Sequence, residues 1–334
     1  MLGKVAAGLV LAACIGCSAA SENSGAGGSA GAGNGGASGS GAAGASGTFG
    51  TGGSSGTGGT GLGLDATGGG DDGCKKIDFL FVLDNSGSMF FHQVNLVNSF
   101  PGFIQTIQSQ VQGQDYHLMV IDTDADGEGL CETDCALGHF LCPTYPCGTV
   151  LTACDKTLGA GVVRPYGLNA SNKDCALSGG QRYIVDGQPN LADTFGCIAT
   201  VGASGSGNEM PMNALIAALG SPLAAPGACN EGFLRKDAIL VVTIVSDAPP
   251  DTAMEQVTDN VQDWYDAVVQ EKGDPSAIVV IGLFTQAAAK YQEFVAKFGA
   301  SGFVGSVEEQ DYSGLLAEAI APIDTTCDNF TPPR

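Results

Sequence analysis

Asp84, Ser86 and Ser88 stand at alternate positions in the stretch IDFLFVLDNSGSM, residues 77–89. On a locally extended backbone alternate side chains point the same way, so one carboxylate and two hydroxyls can converge on one point. All three are hard oxygen donors, a set that suits Mg2+ (or Ca2+ or Mn2+) and not a soft metal. The near-continuous apolar run that ends at Asp84 suits a strand buried on both faces, as in the parallel sheet of an α/β domain. Open α/β sheets bind their ligands beyond the carboxyl ends of such strands, where the strand order reverses.

Other chemistry has less support. Hydrolysis needs a nucleophile with a positioned base, and the chain has three histidines, His92, His117 and His139, none in a recognisable catalytic motif. Neither a GxSxG elbow nor a phosphate-cradling Gly-Lys-Ser/Thr loop is present. The expectation is a binding protein and not an enzyme. Asp122, Asp124, Asp126 and Gly127 match the first half of an EF-hand loop, but position twelve is Thr133 where a bidentate Glu is required. Cys131, Cys135, His139 and Cys142 have zinc-like spacing, although cysteines in an exported chain read first as disulfides.

The elements that must position Asp84 follow from periodicity. Val94, Val97, Ile104, Ile107 and Val111 recur at helical spacing and predict a first helix, kinked or split at Pro101-Gly102. Residues 116–122 predict a second strand and 182–186 a third, edge strand. Residues 191–201 predict a short helix, and Met212, Leu215, Ile216 and Leu219 mark the next. A second buried run, residues 238–250, ends in Ser246-Asp247. After it, Thr252-x-x-Glu255 reads as a capping box, and Val257, Val261, Trp264 and Val268 form one buried stripe that places Trp264 in the core. Lys272-Gly273-Asp274 resembles a tripeptide recognised by integrins, but a Gly ending the helix explains it better. Strands over 277–284 and 302–307 and helices over 287–298 and 312–320 complete the series. Strands alternating with helices imply a doubly wound, mostly parallel six-stranded sheet with helices on its faces.

Composition limits partners and location. The chain has 334 residues and a formal charge of −22, from 35 acidic and 13 basic residues. Such a polyanion repels nucleic acid and anionic membrane surfaces, and it favours partners that are basic or bridged by divalent cations. Residues 1–17 read as an export signal, with Lys4 before a short apolar run that is too short to span a bilayer. Leu11-Ala-Ala-Cys14 is similar to a bacterial lipobox, which makes Cys14 the lipid-bearing residue. Cys17 is the alternative, because ten of the twelve cysteines then remain to pair, and a plain secretory signal without lipid is a third possibility. Residues 18–73, almost all Gly, Ala, Ser and Thr, bury too little apolar surface to fold and form a flexible linker. The expectation is a bacterial envelope lipoprotein of the outer membrane, periplasmic or surface-exposed, touching the membrane only through its lipid.

Asp84-x-Ser86-x-Ser88 after an apolar first strand, with the second strand ending at Asp247, resembles the metal-ion-dependent adhesion site of von Willebrand factor A (VWA) domains. The resemblance covers about residues 75–323 apart from an insertion, within a VWA-like domain over 74–327 that is followed by a short tail, 328–334. It implies Asp84, Ser86 and Ser88 as direct metal ligands and Asp247 as one reached through water. The family usually presents a Thr from a loop corresponding to residues 202–215. That position falls here on Glu209, with Ser204 and Ser206 as alternatives. If Glu209 joins Asp84 and Asp247, three carboxylates overcompensate a dication and weaken its pull on a partner's acidic side chain, unless Glu209 swings away. The implied function is divalent-metal-dependent binding of an unnamed protein partner; the alternative is an envelope scaffold whose metal only stabilises the fold. In the family the chain ends are neighbours, which implies a Cys74–Cys327 bridge. Cys197 and Cys229 bracket the helix at Met212 and are candidates to pair. Residues 123–180 depart from the family as a Cys-rich insertion, and six cysteines there allow fifteen pairings among themselves.

Overall fold

The computed structural model describes residues 75–110, 115–124, 151–203, 205, 210–247 and 260–333. β1 (Lys76–Leu83) leads through one 3-10 turn (Gly87–Met89) into α1 (Phe90–Gln110), and β2 (Asp115–Asp122) follows. After the insertion come β3 (Ile184–Val185), α2 (Leu191–Ala199), α3 (Pro211–Leu219), β4 (Ile239–Ser246) and α4 (Val261–Lys272). The chain ends with β5 (Ile278–Phe284), α5 (Ala289–Ala296), β6 (Gly302–Ser306), α6 (Ser313–Glu318) and α7 (Ile320–Asn329). The six strands lie in the order β3-β2-β1-β4-β5-β6. All pairings are parallel except that of β3, whose two residues run antiparallel to His117 and Leu118.

The strands feed two cores because their side chains alternate across the sheet. Ile77, Phe79, Phe81 and Leu83 pack on the side of α1 and α2, whereas Leu80 and Val82 pack on the side of α3, α4 and α5. On the first side Phe81 meets Phe100, Phe103 and Phe195 edge-on, and Phe100 stacks on Phe195. On the second, Trp264 is fully buried against Tyr291. This two-sided burial is why β1, β4 and β5 read as apolar runs without a polar alternation.

Several local expectations shift. α1 is not split at Pro101: Pro101 and Gly102 face solvent while Phe103 and Ile104 beside them are buried. β3 is shorter than residues 182–186 and antiparallel, since it follows the insertion and not a crossover helix. The closing helix is two helices, and α7 runs on to Asn329 because Pro322 falls in its first turn, where the missing N–H has no intrahelical partner to lose. α4 begins after Asn260, whose side chain accepts from the Gln262 N–H; the Thr252–Glu255 capping box lies outside the described residues. Gly273 caps α4 in the left-handed region (φ 89°), and Lys272 is buried with its ammonium donating to the carbonyls of Arg235 and Ala238. The Lys-Gly-Asp tripeptide is thus a helix end and not an exposed recognition loop.

The disulfides correct the sequence reading. Cys197 and Cys229 do not pair with each other: Cys175 bonds Cys197 and Cys154 bonds Cys229. Cys197 sits in the α1–α2 core, whereas Cys229 precedes Asn230 and Phe233, which pack with α3 on the opposite face of the sheet. Two cysteines on opposite faces cannot reach the ~6 Å Cα separation that a bridge needs. Cys154 and Cys175 therefore tie the insertion outward to both faces instead of pairing within it. Cys327 is disulfide-bonded as well, and Cys74 lies outside the described residues, as do Cys14, Cys17 and the cluster of Cys131, Cys135, His139 and Cys142.

The described part of the insertion lies along the outer edge of β2. Val162 N–H donates to the Val120 carbonyl (2.7 Å), and Asn230 holds Gly161 and Gly159 from the α3 side (2.9 and 2.8 Å). Closing a loop of 75 residues restricts the unfolded chain by about 4 kcal/mol in the chain-entropy picture. Replacing Cys154 and Cys229 together with Ala is expected to cost about 2–4 kcal/mol in urea unfolding. A loss under ~1 kcal/mol would show that the insertion holds its place without that bridge.

Candidate metal centre

β1 lies between β2 and β4, so the strand order reverses beside its carboxyl end, and Asp84 and Asp247 leave the sheet on the two sides of that crevice. Asp84 is fully buried. Its Oδ1 accepts from the Ser86 N–H (2.8 Å), its Oδ2 accepts from the Ser246 hydroxyl (2.6 Å), and its own N–H donates to the Val245 carbonyl (3.1 Å). The first two bonds fix the carboxylate and the third fixes the backbone.

From Asp84 a row of polar groups runs outward. Ser88 Oγ donates to Asp247 Oδ1 (3.0 Å). A hydroxyl has one proton, so the 2.9 Å contact between the two serine oxygens is Ser86 donating to Ser88. Ser86 is buried and Ser88 exposed, so the row opens to solvent at its Ser88 end. The structure thus brings Asp84, Ser86, Ser88 and Asp247 together. The Asp247 carboxylate touches Ser88 directly. Glu209, Ser204 and Ser206 lie outside the described residues.

Sequence reasoning missed the residues that brace this row. Ser246 is one. Gln93 is another: buried in α1, its amide donates to the Asp84 carbonyl (3.0 Å) and the Gly202 carbonyl (2.5 Å) and accepts from the Gly202 N–H (3.0 Å). It locks the 202–205 loop to the end of β1. The signal was a polar residue at position 93 in a stripe whose other members, Met89, Leu96, Phe100 and Phe103, are apolar. Gly205 N–H donates to the Asn85 carbonyl (2.8 Å), which brings the loop over the site. Gly202 adopts φ 96°, and a Cβ there would stand 2.9 Å from both the Leu168 carbonyl and Ala170. The insertion therefore packs directly on this loop.

Beside the row lies a cavity of about 40 Å3, lined by Asn85, Asp122, Asp124, Asp155, Arg164 and Arg182 among others. That volume suits ordered water and not an organic substrate. Burial, and after it the charge of Asp124, push the Asp122 carboxyl up to about 7. Arg182 donates to Asp155 at 2.5 Å, and its hydrogen bond and charge hold that carboxyl below its usual range despite burial. Among the described residues no group of three or more His, Cys, Asp or Glu side chains is arranged to hold a metal; Asp126 and Gly127 of the EF-hand-like run lie outside them.

The donor set at Asp84, Ser86, Ser88 and Asp247 fits the divalent cation that the VWA resemblance implies: two hydroxyls and two carboxylates, all oxygen, with one side toward solvent. Such a cation would supply a fixed positive charge able to hold an incoming carboxylate.

No protein-family model matches the chain, and no curated protein matches it. Among solved structures it is similar to proximal thread matrix protein 1 (PTMP1) from the mussel byssus, at 11% identity and a TM-score of 0.39 over 75% of this chain and 48% of that one. A second crystal form gives 12% identity and a TM-score of 0.38 over 75% and 49%. PTMP1 with a zinc-occupied MIDAS motif gives 11% and 0.39 over 76% and 49%. The chain spans about half the length of these proteins. Its own strand order and two-sided packing identify it as a doubly wound, mostly parallel α/β fold of the Rossmann-like kind.

Proposed function

We propose that this chain is an envelope-tethered, VWA-like binding domain that holds a divalent cation at Asp84, Ser86, Ser88 and Asp247 and uses it to grip an acidic side chain of a protein partner. One observation carries the reading. Two carboxylates on either side of the sheet's switch point are joined through the Ser86 N–H and the Ser86 and Ser88 hydroxyls in a row that opens to solvent. The tether is the linker of residues 18–73, with the lipid on Cys14 or, alternatively, Cys17, in the outer membrane. Glu209 is a further ligand or a switching one. No catalytic step is assigned.

The protein's own hydrogen bonds already fix the row: Ser246 and the Ser86 N–H satisfy Asp84, and Gln93 ties the adjoining loop.

Ser88→Ala is the cleanest test, because Ser88 is the exposed member of the row and its loss leaves Asp84 with its Ser86 and Ser246 bonds. Partners retained without cross-linking by the immobilised oxidised chain in the presence of Mg2+ should be released by EDTA and absent from Ser88→Ala, while the thermal unfolding of that variant stays close to that of the wild type. Partners retained equally by wild type, EDTA-treated protein and Ser88→Ala would defeat the adhesion reading and leave the scaffold one.

A further inference from the structure

At the amino end of the parallel strands, away from Asp84, lies a pocket of about 470 Å3 lined by Lys236, Lys272, Asp274, Phe330 and Pro333 among others. That volume is in the range that holds a small organic ligand. Its two ammonium groups differ from other cations of the fold. Lys76, Arg164, Arg182 and Arg235 each meet a carboxylate. Lys272, only 2% exposed, donates instead to the carbonyls of Arg235 and Ala238, and Lys236 donates to that of Glu271. The carboxylates around them are engaged elsewhere. Arg235 clasps Asp78, Lys76 holds Asp237, and Asp274 Oδ1 accepts from the Ser276 N–H (2.9 Å) and hydroxyl (2.7 Å). Glu271 lies against Gly220, where a Cβ would stand 3.1 Å from Oε1, and Asp328, two residues before Phe330, is exposed. Burial lowers Lys272 to about 8, with Lys236 and Arg235 adding to the fall and Asp78 and Asp237 opposing it. An ammonium has three N–H groups, of which Lys272 uses two and Lys236 one, so each keeps a donor for a further acceptor. The Phe330 ring stands 5.9 Å from the Lys272 nitrogen.

We propose that this pocket binds a small organic monocarboxylate with a flat apolar body, its two oxygens accepting from Lys236 and Lys272 and its body lying against Phe330 and Pro333. Two ammonium groups without a carboxylate contact call for an anion, and a charge-assisted bond to each satisfies them. Lys272 contributes more than Lys236, because a buried charge is screened less than an exposed one. The pocket's place in the fold chooses a carboxylate over a phosphate. It lies where α4 and α7 end, and the negative ends of helices repel a dianion more than a monoanion. The amino end of an α-helix, the usual seat of phosphate, is absent from its lining. The site stands apart from the metal row and does not depend on it.

The test is equilibrium dialysis of naphthoate against the oxidised full chain, with its neutral amide, naphthamide, and inorganic phosphate as controls. EDTA is present throughout, so that no cation at Asp84 can hold the carboxylate. Naphthoate should bind at one site and more tightly than either control. Lys236→Gln, which removes the ammonium whose bond is exposed, should weaken it by about 5-fold, with thermal unfolding close to that of the wild type. Replacing Lys272 would strand two carbonyls, so pH probes that residue instead. Affinity should hold below pH ~7 and fall by up to about 10-fold per unit above pH ~8 as Lys272 loses its proton, in the wild type and in Lys236→Gln alike. No retention of naphthoate, equal retention of naphthamide, or an affinity that neither Lys236→Gln nor the rise in pH changes would overturn the inference. Tighter binding of phosphate than of naphthoate would overturn the assignment to a carboxylate.

Discussion

Titration of Mg2+, Ca2+ or Mn2+ into the oxidised chain should give a single site that Ser88→Ala or Asp247→Ala weakens by at least about 100-fold, at or beyond the upper end of the range for loss of an outer-layer partner. The two residues are the right ones to replace because they form the outer end of the row, where Ser88 Oγ and Asp247 Oδ1 meet at 3.0 Å. Asp84→Ala would be a poorer probe. Asp84 is fully buried and accepts from Ser86 and Ser246, so its loss strands the Ser246 hydroxyl and costs stability of about 1–3 kcal/mol along with the metal. Circular dichroism and thermal unfolding of Ser88→Ala and Asp247→Ala should match the wild type. Undiminished affinity in both variants would place the cation elsewhere, and Glu209→Ala would then show whether the 202–209 loop holds it.

The second large effect lies at the opposite end of the sheet and concerns stability. Asp78 is fully buried in β1, and Arg235 clasps it twice, from its backbone N–H (2.7 Å) and its Nε (2.7 Å), while also donating to the carbonyls of Ile77 and Asp115. His117, whose Nδ1–H donates to the Phe233 carbonyl, stands 3.7 Å away. Burial pushes the Asp78 carboxyl up to about 6, against the opposing pull of Arg235, and burial lowers Lys272 to about 8. Because the folded-state value of Asp78 lies above its unfolded one, its contribution is most favourable at acidic pH and falls as pH rises from about 4 through about 6.

Arg235→Ala leaves that carboxylate buried without its partner and should cost about 3–5 kcal/mol near neutral pH. Removing the guanidinium raises the Asp78 carboxyl further, so the loss should shrink toward pH ~5, where the folded state can take up the proton. Urea unfolding at both pH values measures this directly. A loss under ~1 kcal/mol, or an equal loss at both pH values, would show that water reaches Asp78 or that the loop after α3 rearranges.

How much of this was legible in the sequence differs by element. The buried runs of β1, β4 and β5 were plain because both faces of a central parallel strand are covered, and Trp264 fell in the core by helical spacing alone. The pattern Asp84-x-Ser86-x-Ser88 was readable because the spacing of two is itself the geometry. Asp247 came from the family resemblance and from its place after an apolar run. The disulfides were not legible: the wrong pairing of Cys197 with Cys229 followed the order of the chain, whereas bridging follows the face of the sheet on which each loop emerges. Nor was the contact of His92 with Tyr312, which joins residues 220 positions apart. Ser246 and Gln93 carried only the weak signal of polar residues in apolar surroundings, and their partners depend on loop paths that composition does not encode.

The edges of the sheet have a consequence for crowding. A protein at high local concentration meets its own copies constantly, and an open strand edge would then template chain-to-chain polymerisation. Here β3 offers two residues, continued by Asp186 bonded to Tyr116, and the insertion occupies the β2 edge beyond it, with Val162 bonded to Val120. β6 at the far side is five residues long and carries Gly302 and Gly305. The Cys-rich insertion therefore serves as an edge guard: it lets copies of the domain crowd together while disfavouring growth of the sheet from one molecule into the next.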